Sequence, residues 1–165
     1  MEEEFEISDG KLHAKRLGRE LVMQFLFQCD VAREEFRQSR WESFMLQAAQ
    51  THALRDNRYA RKGREYAEKL LNGIREQQAE IDAAILAHAE NWEWDRLAVV
   101  DRNVMRVAVF EMLCMPEVPP VVSINEAVEI ARDYSGEKAG NFINGVLNGI
   151  KDTLSRPARK AVKEL

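Results

Sequence analysis

The 165-residue chain has few of the residues that staple, break or anchor a fold. Its two cysteines, Cys29 and Cys114, each sit inside an apolar helical pattern, so both are expected as small buried hydrophobes rather than as a disulfide or half of a metal site. Only four prolines and eight glycines interrupt it, which disfavours a strand-and-turn architecture. No apolar run is long enough to cross a bilayer. The start, Met1 followed by Glu2, Glu3, Glu4, Phe5 and Glu6, is the opposite of a basic secretory or transit peptide, so the expected compartment is the cytoplasm. Catalytic patterns are also missing. His13, His52 and His88 are far apart, neither cysteine has a nearby histidine, and there is no Gly-rich phosphate loop or Gly-x-Ser-x-Gly turn. The expectation is a protein without metal, cofactor or catalytic residue.

What the chain does have is helix-forming sequence and unevenly distributed charge. Net charge is −4, which by itself argues against a polyanion partner. The average conceals a sharp division, with acid concentrated in Glu2, Glu3, Glu4, Glu6 and Asp9 and followed at once by Lys11, Lys15, Arg16 and Arg19. Two more basic clusters follow, Arg55, Arg58, Arg61, Lys62 and Arg64, then Arg156, Arg159, Lys160 and Lys163. A charge run is usually a solvated face, so these clusters raise the case for a polyanion only modestly.

Apolar spacing predicts an all-α fold of about seven helices. Leu17, Leu21, Phe25, Cys29 and Ala32 mark a first helix from about Leu12 to Arg33, and Trp41 to Ala48 a short second. Tyr66 to Ile74 and Ile81 to His88 give a third and fourth, separated at Glu76 to Glu80 by a polar stretch that reads as a bend. Asp95 is placed as the N-cap of a fifth helix ending at Cys114 before Pro116, apolar almost all round and therefore central. Ser123, in a capping box with Glu126, starts a sixth helix to Tyr134, and Ala139 to Leu154 forms a seventh after the Ser135-Gly136 turn. The expected organisation is a disordered acidic leader (1–10), one helical domain (11–154) with sub-bundles at about 11–78 and 79–154, and a basic tail (155–165), neither end joining the core.

Two helix faces are unusual. With 100° per residue, the first helix centres its stripe on Leu21 and Phe25 and leaves Met23 and Phe27 on the far side, to be covered by another helix of the chain or by a partner. In the last helix Ile143, Val146 and Leu147 form the stripe, and Phe142 falls at its rim beside Lys138, Asn141, Gly145 and Gly149. That ring is either a core-edge contact or a stacking surface for a single-stranded base.

Three blocks carry a family resemblance: Lys15 to Gln28, Trp94 to Met112, and Pro119 to Asn148 with its Ile-Asn-Glu-Ala-Val-Glu-Ile-Ala and Phe-Ile-Asn-Gly-Val-Leu phrases. In that order and spacing they resemble the NusB family of bacterial transcription antitermination factors, from about Lys15 through Ile150, with a poor match from about Ser39 to Arg58. The resemblance implies two small helical bundles and binding of boxA single-stranded RNA together with NusE, a small-subunit ribosomal protein, within the transcription elongation complex, including on rRNA operons. It implies RNA contacts at Lys15, Arg16, Arg19 and Phe142, with Lys138 and Asn141 beside the ring, and NusE contacts at Phe27 and Asp101, with Met23 and Met105 on the same faces. Alternatives are an RNA-anchoring module akin to those fused to rRNA methyltransferases, and a helical adaptor that binds only protein. Two departures from relatives stand out. Phe27 replaces a frequent Tyr, and Gly18, costing about 1 kcal/mol of helix propensity, is expected to let the basic end of its helix fray.

Overall fold

The computed structural model describes residues 2–51, 58–90 and 92–165, with the side chains of 2–13 and 51 outside the described set. His52 and Arg55 therefore lie outside the described residues, as do the side chains of His13, Lys11 and the acidic leader. Six α-helices follow in order: α1 (Glu2–Ala32), α2 (Gln38–Thr51), α3 (Arg58–His88), α4 (Val99–Cys114), α5 (Pro120–Ser135) and α6 (Glu137–Asp152). A single 3-10 turn, Trp94–Arg96, precedes α4, and no strand occurs among the described residues. The chain is all-α, as its apolar spacing predicts. It divides into two compact units, Met1–Lys69 and Leu70–Leu165, and the division falls inside α3.

The first unit is organised around Phe25, fully buried, whose ring meets Phe36, Trp41 and Phe44 at 5.8, 5.1 and 5.4 Å between centroids. Edge-to-face and tilted geometries of this kind add to area burial because the ring quadrupoles are offset. In the second unit α4 is buried on nearly every side, from Val104 through Met112, as its unbroken apolar sequence requires. Its Phe110 ring lies directly over Gly73 of α3, where a Cβ would come within 2.0 Å of the ring. Arg106 of α4 donates from Nε and Nη2 to both carboxylate oxygens of Asp82 on α3, at 2.8 and 3.0 Å, and from Nη1 to Asn103 Oδ1 at 2.8 Å. Gly136, at φ 98°, ends α5 by donating to the Ala131 and Arg132 carbonyls and starts α6 without an intervening loop. That conformation is open to glycine and strained for other residues.

Several boundaries differ from expectation for physical reasons. The third and fourth expected helices are one, α3, because Glu76 to Glu80 contains only good helix formers and the buried stripe Leu70, Ile74, Ile81, Ile85 continues through it. Asp95 lies in the 3-10 turn, and α4 starts from Ala98 with no side-chain cap. Nor does the Ser123–Glu126 capping box form: α5 begins at Pro120, whose ring presets the first helical φ, and Ser123 is buried one turn in. Cys29 is buried as expected, whereas Cys114, in the last turn of α4, is exposed. The described backbone of α1 begins at Glu2.

The basic tail is not free of the core. Arg156 Nη1 donates to the Met112 and Met115 carbonyls, at 3.0 and 3.2 Å, and Nη2 to those of Pro116 and Val118, at 3.0 and 2.7 Å. The last carbonyls of a helix have no partner within it, and this guanidinium supplies one where Pro116 has stopped α4. Two backbone bonds, Val121 N–H to Ala158 O and Val162 N–H to Pro116 O, continue the fastening at 3.0 and 2.8 Å.

Candidate nucleic-acid interface

The expected RNA-contacting residues fall in both units, Lys15, Arg16 and Arg19 in the first and Lys138, Asn141 and Phe142 in the second. In the first unit, α1 crosses α3 at two buried glycines. A Cβ on Gly18 would lie 2.9 Å from the Gly63 carbonyl oxygen and 2.9 Å from Tyr66, and one on Gly63 would lie 2.7 Å from Leu17. Gly18 is thus a packing requirement rather than a weak point in the helix. Gly18→Ala is expected to destabilise by roughly 1 to 3 kcal/mol through overpacking against backbone, despite alanine's better propensity. A raised urea midpoint would contradict this.

The close crossing sets the charges. Lys15 Nζ and the Arg19 guanidinium both sit over the Tyr66 ring, 5.6 and 5.5 Å from its centroid. Arg19 is only 2 % exposed, so its guanidinium is packed against Tyr66 rather than open to solvent. Lys15 and Arg16 remain half-exposed, with Arg16 4.0 Å from Glu20. On α3, Arg58, Arg61 and Arg64 are exposed, and Arg64 pairs with Glu68 at 3.1 Å.

In the second unit, the Gly136 turn sets α6 so that Lys138 and Asn141 are exposed and Phe142 is half-buried. The Phe142 ring meets Trp92 at 6.0 Å between centroids, with the planes inclined at 61°. Gly149 admits His88, whose ring would lie 2.9 Å from a Cβ there, while a Cβ on Gly145 would meet nothing within 4 Å. Asn141 also edges a shallow polar depression of about 280 Å³ between α5 and α6, lined by Asn125, Glu129, Arg132 and Asn144. Trp92 is 48 % exposed and was not among the expected site residues; its only signal in sequence is a large aromatic within the Asn91 to Trp94 interruption.

The expected partner-binding residues divide differently. Met23 and Met105 are 2 % and 0 % exposed, so neither presents a surface, and an apolar partner patch built on them is not present. For Met23 the reason is that α1 buries a wide arc, Leu21, Val22, Met23 and Phe25 together, rather than the single stripe a helical wheel assigns. Phe27 is half-buried. Asp101, in the first turn of α4, is 8 % exposed, and its Oδ1 has no hydrogen-bond partner. Burial pushes its carboxyl above the usual range, and a hydrogen bond with Ser135 partly opposes the shift. No cluster of three or more potential metal ligands occurs among the described residues.

Comparison with known proteins gives a consistent family. The NusB family profile matches residues 16–152. Transcription antitermination protein NusB of Bacillus mycoides is 39 % identical over 140 residues, covering 85 % of this chain and 98 % of that protein. The Myxococcus xanthus protein of the same name is 34 % identical over 144 residues, covering 87 % and 99 %. Among solved structures, T. maritima NusB superposes with a TM-score of 0.69 at 33 % identity, covering 90 % of this chain and 94 % of that one. NusB from a structure of antitermination factors NusB and NusE in complex with dsRNA gives 0.69 at 26 % identity, covering 86 % and 98 %.

Proposed function

The chain belongs to the NusB family, and from that premise we propose that it is an RNA-binding antitermination factor that takes up boxA-type single-stranded RNA together with NusE. The observation that carries the RNA reading is the α6 rim, where the half-buried Phe142 ring lies on the same helix as an exposed Lys138 one turn before it and an exposed Asn141 next to it in sequence. Such a ring stacks a base while neighbouring cations hold phosphate. Lys15 and Arg16 are the phosphate contacts of the first unit, and Arg19 is a support for Tyr66. Toward NusE, Phe27 and Asp101 are the contact positions, with Met23 and Met105 packed inside. We assign the chain no catalytic role and, because the RNA it is proposed to bind is nascent transcript, a place in the cytoplasm with the transcription elongation complex.

Burial of Arg19 changes the expected electrostatics. With five phosphates neutralised, log affinity for single strands would fall with log salt at about −3.5, but Lys15, Arg16 and Lys138 alone give about −2. The test is binding of boxA-like against scrambled RNA, with and without NusE, across a salt series. A slope near −2 and preference for boxA are expected; a slope near zero, or equal binding of both RNAs in the presence of NusE, would sink the reading.

A further inference from the structure

Trp92 is exposed in a way the other two tryptophans are not. Trp41 is 1 % exposed inside the first unit's aromatic cluster, and Trp94 is half-buried beneath the guanidinium groups of Arg102 and Arg106, at 5.5 and 4.8 Å. Trp92 lies between α3 and the 3-10 turn, its backbone N–H donating to the Ala89 carbonyl at 3.1 Å. Its segment is pinned on the far side by Trp94, whose carbonyl also accepts from Arg102 at 3.4 Å. The ring is therefore large, half in solvent and mounted on an anchored connection, in contact with the aromatic already assigned to RNA.

From this geometry we propose that Trp92 and Phe142 form a two-ring platform that holds two consecutive bases of single-stranded RNA, one against each ring. The proposal rests on the RNA-binding reading and adds a residue and a conformation to it. Stacked neighbours in a nucleic acid lie parallel at about 3.4 Å. Two rings at 6.0 Å, inclined by 61°, cannot each carry a base and leave those bases stacked on one another. The strand must turn between them, as single-stranded RNA readily does when its bases are splayed onto aromatic side chains. The surroundings suit that path. Lys138, one turn before Phe142, is exposed and makes no ion pair among the described residues, and Gly145, one turn after, leaves bare backbone with open space above it. A protein segment docked on the rings would need neither the adjacent cation nor a splayed dinucleotide.

The test combines Trp92→Ala, Trp92→Phe and Phe142→Ala with a boxA RNA series carrying one abasic nucleotide at successive positions. Trp92→Ala is expected to weaken binding by about 5- to 150-fold, the effect of losing one base–aromatic stack, and Trp92→Phe to retain most of the affinity. The wild-type protein should be sensitive to base removal at two adjacent positions. Trp92→Ala should abolish sensitivity at one of them and Phe142→Ala at the other. RNA should also change the tryptophan emission of the wild-type protein, and an unchanged emission would overturn the platform even if Trp92→Ala lost its helical circular dichroism. Wild-type affinity in a folded Trp92→Ala, or loss of sensitivity at one shared position in both variants, would overturn it while leaving the RNA-binding reading intact. Failure of the wild-type protein to bind boxA RNA would remove both.

Discussion

Asp82→Ala is expected to destabilise the second unit by about 3 kcal/mol, because it leaves the Arg106 guanidinium buried without its carboxylate. The side chain of Arg106 is 5 % exposed and that of Asp82 22 %, so the charge that remains has little access to water. Removing one member of a buried pair typically costs about 3 to 5 kcal/mol, and the partial exposure of Asp82 places this site at the lower end. Asn103 Oδ1 and the Trp94 ring would still face the guanidinium, but neither carries a formal charge. Replacing both partners, as Asp82→Leu with Arg106→Met, should cost less than the single change, since no uncompensated charge is left behind. Urea denaturation of the two variants measures the difference. A single-variant loss below about 1 kcal/mol would mean that the pair is solvated and contributes as surface pairs do. The consequence reaches the proposed two-ring platform, because Arg106 also packs on Trp94, two residues from Trp92. Asp82→Ala should therefore increase quenching of Trp92 by acrylamide before it unfolds the helices.

How far the sequence could be read depended on whether the signal was periodic. The all-round apolarity of α4 placed it as a buried central helix, and of the stripe Ile143, Val146, Leu147, Ile150 and Leu154 the first four are buried on α6 while Leu154 lies past its end and is half-buried, with Phe142 at the rim. These follow from spacing alone, and spacing is local. Helix starts were less legible because α4 and α5 begin without a side-chain cap, so Asp95 and Ser123 looked suitable and went unused. Met23 differs from its wheel position for a related reason. A wheel assigns one inward direction per helix, whereas α1 buries Leu21, Val22, Met23 and Phe25 together, and its glycine crossing with α3 sets Arg19 against the Tyr66 ring. The Trp92–Phe142 contact joins residues fifty positions apart by number, through a segment with no periodicity of its own. Nothing short of the fold puts those rings together.

Arg156→Ala is expected to cost about 2 to 3 kcal/mol and to release a tail that lies beyond the family match, which ends at residue 152. One guanidinium donates to four carbonyls, those of Met112, Met115, Pro116 and Val118, and so closes the end of α4 against the approach to α5. Hydrogen bonds from a charged donor contribute about 1.5 to 3 kcal/mol, and four on one side chain share the entropy of ordering it, so their sum is well below four times that value. Arg156→Lys should recover little, because an ammonium is a point donor that cannot fork across four acceptors. Arg159→Ala and Lys160→Ala, at exposed positions on the same tail, should change stability by less than about 0.5 kcal/mol. Hydrogen exchange separates a local release from global loss. In Arg156→Ala the amides of Val121 and Val162, which bond across the strap, should exchange faster relative to those in the middle of α4. If Val162 kept its protection and the denaturation midpoint did not move, the backbone bonds and not the guanidinium would be what holds the tail down.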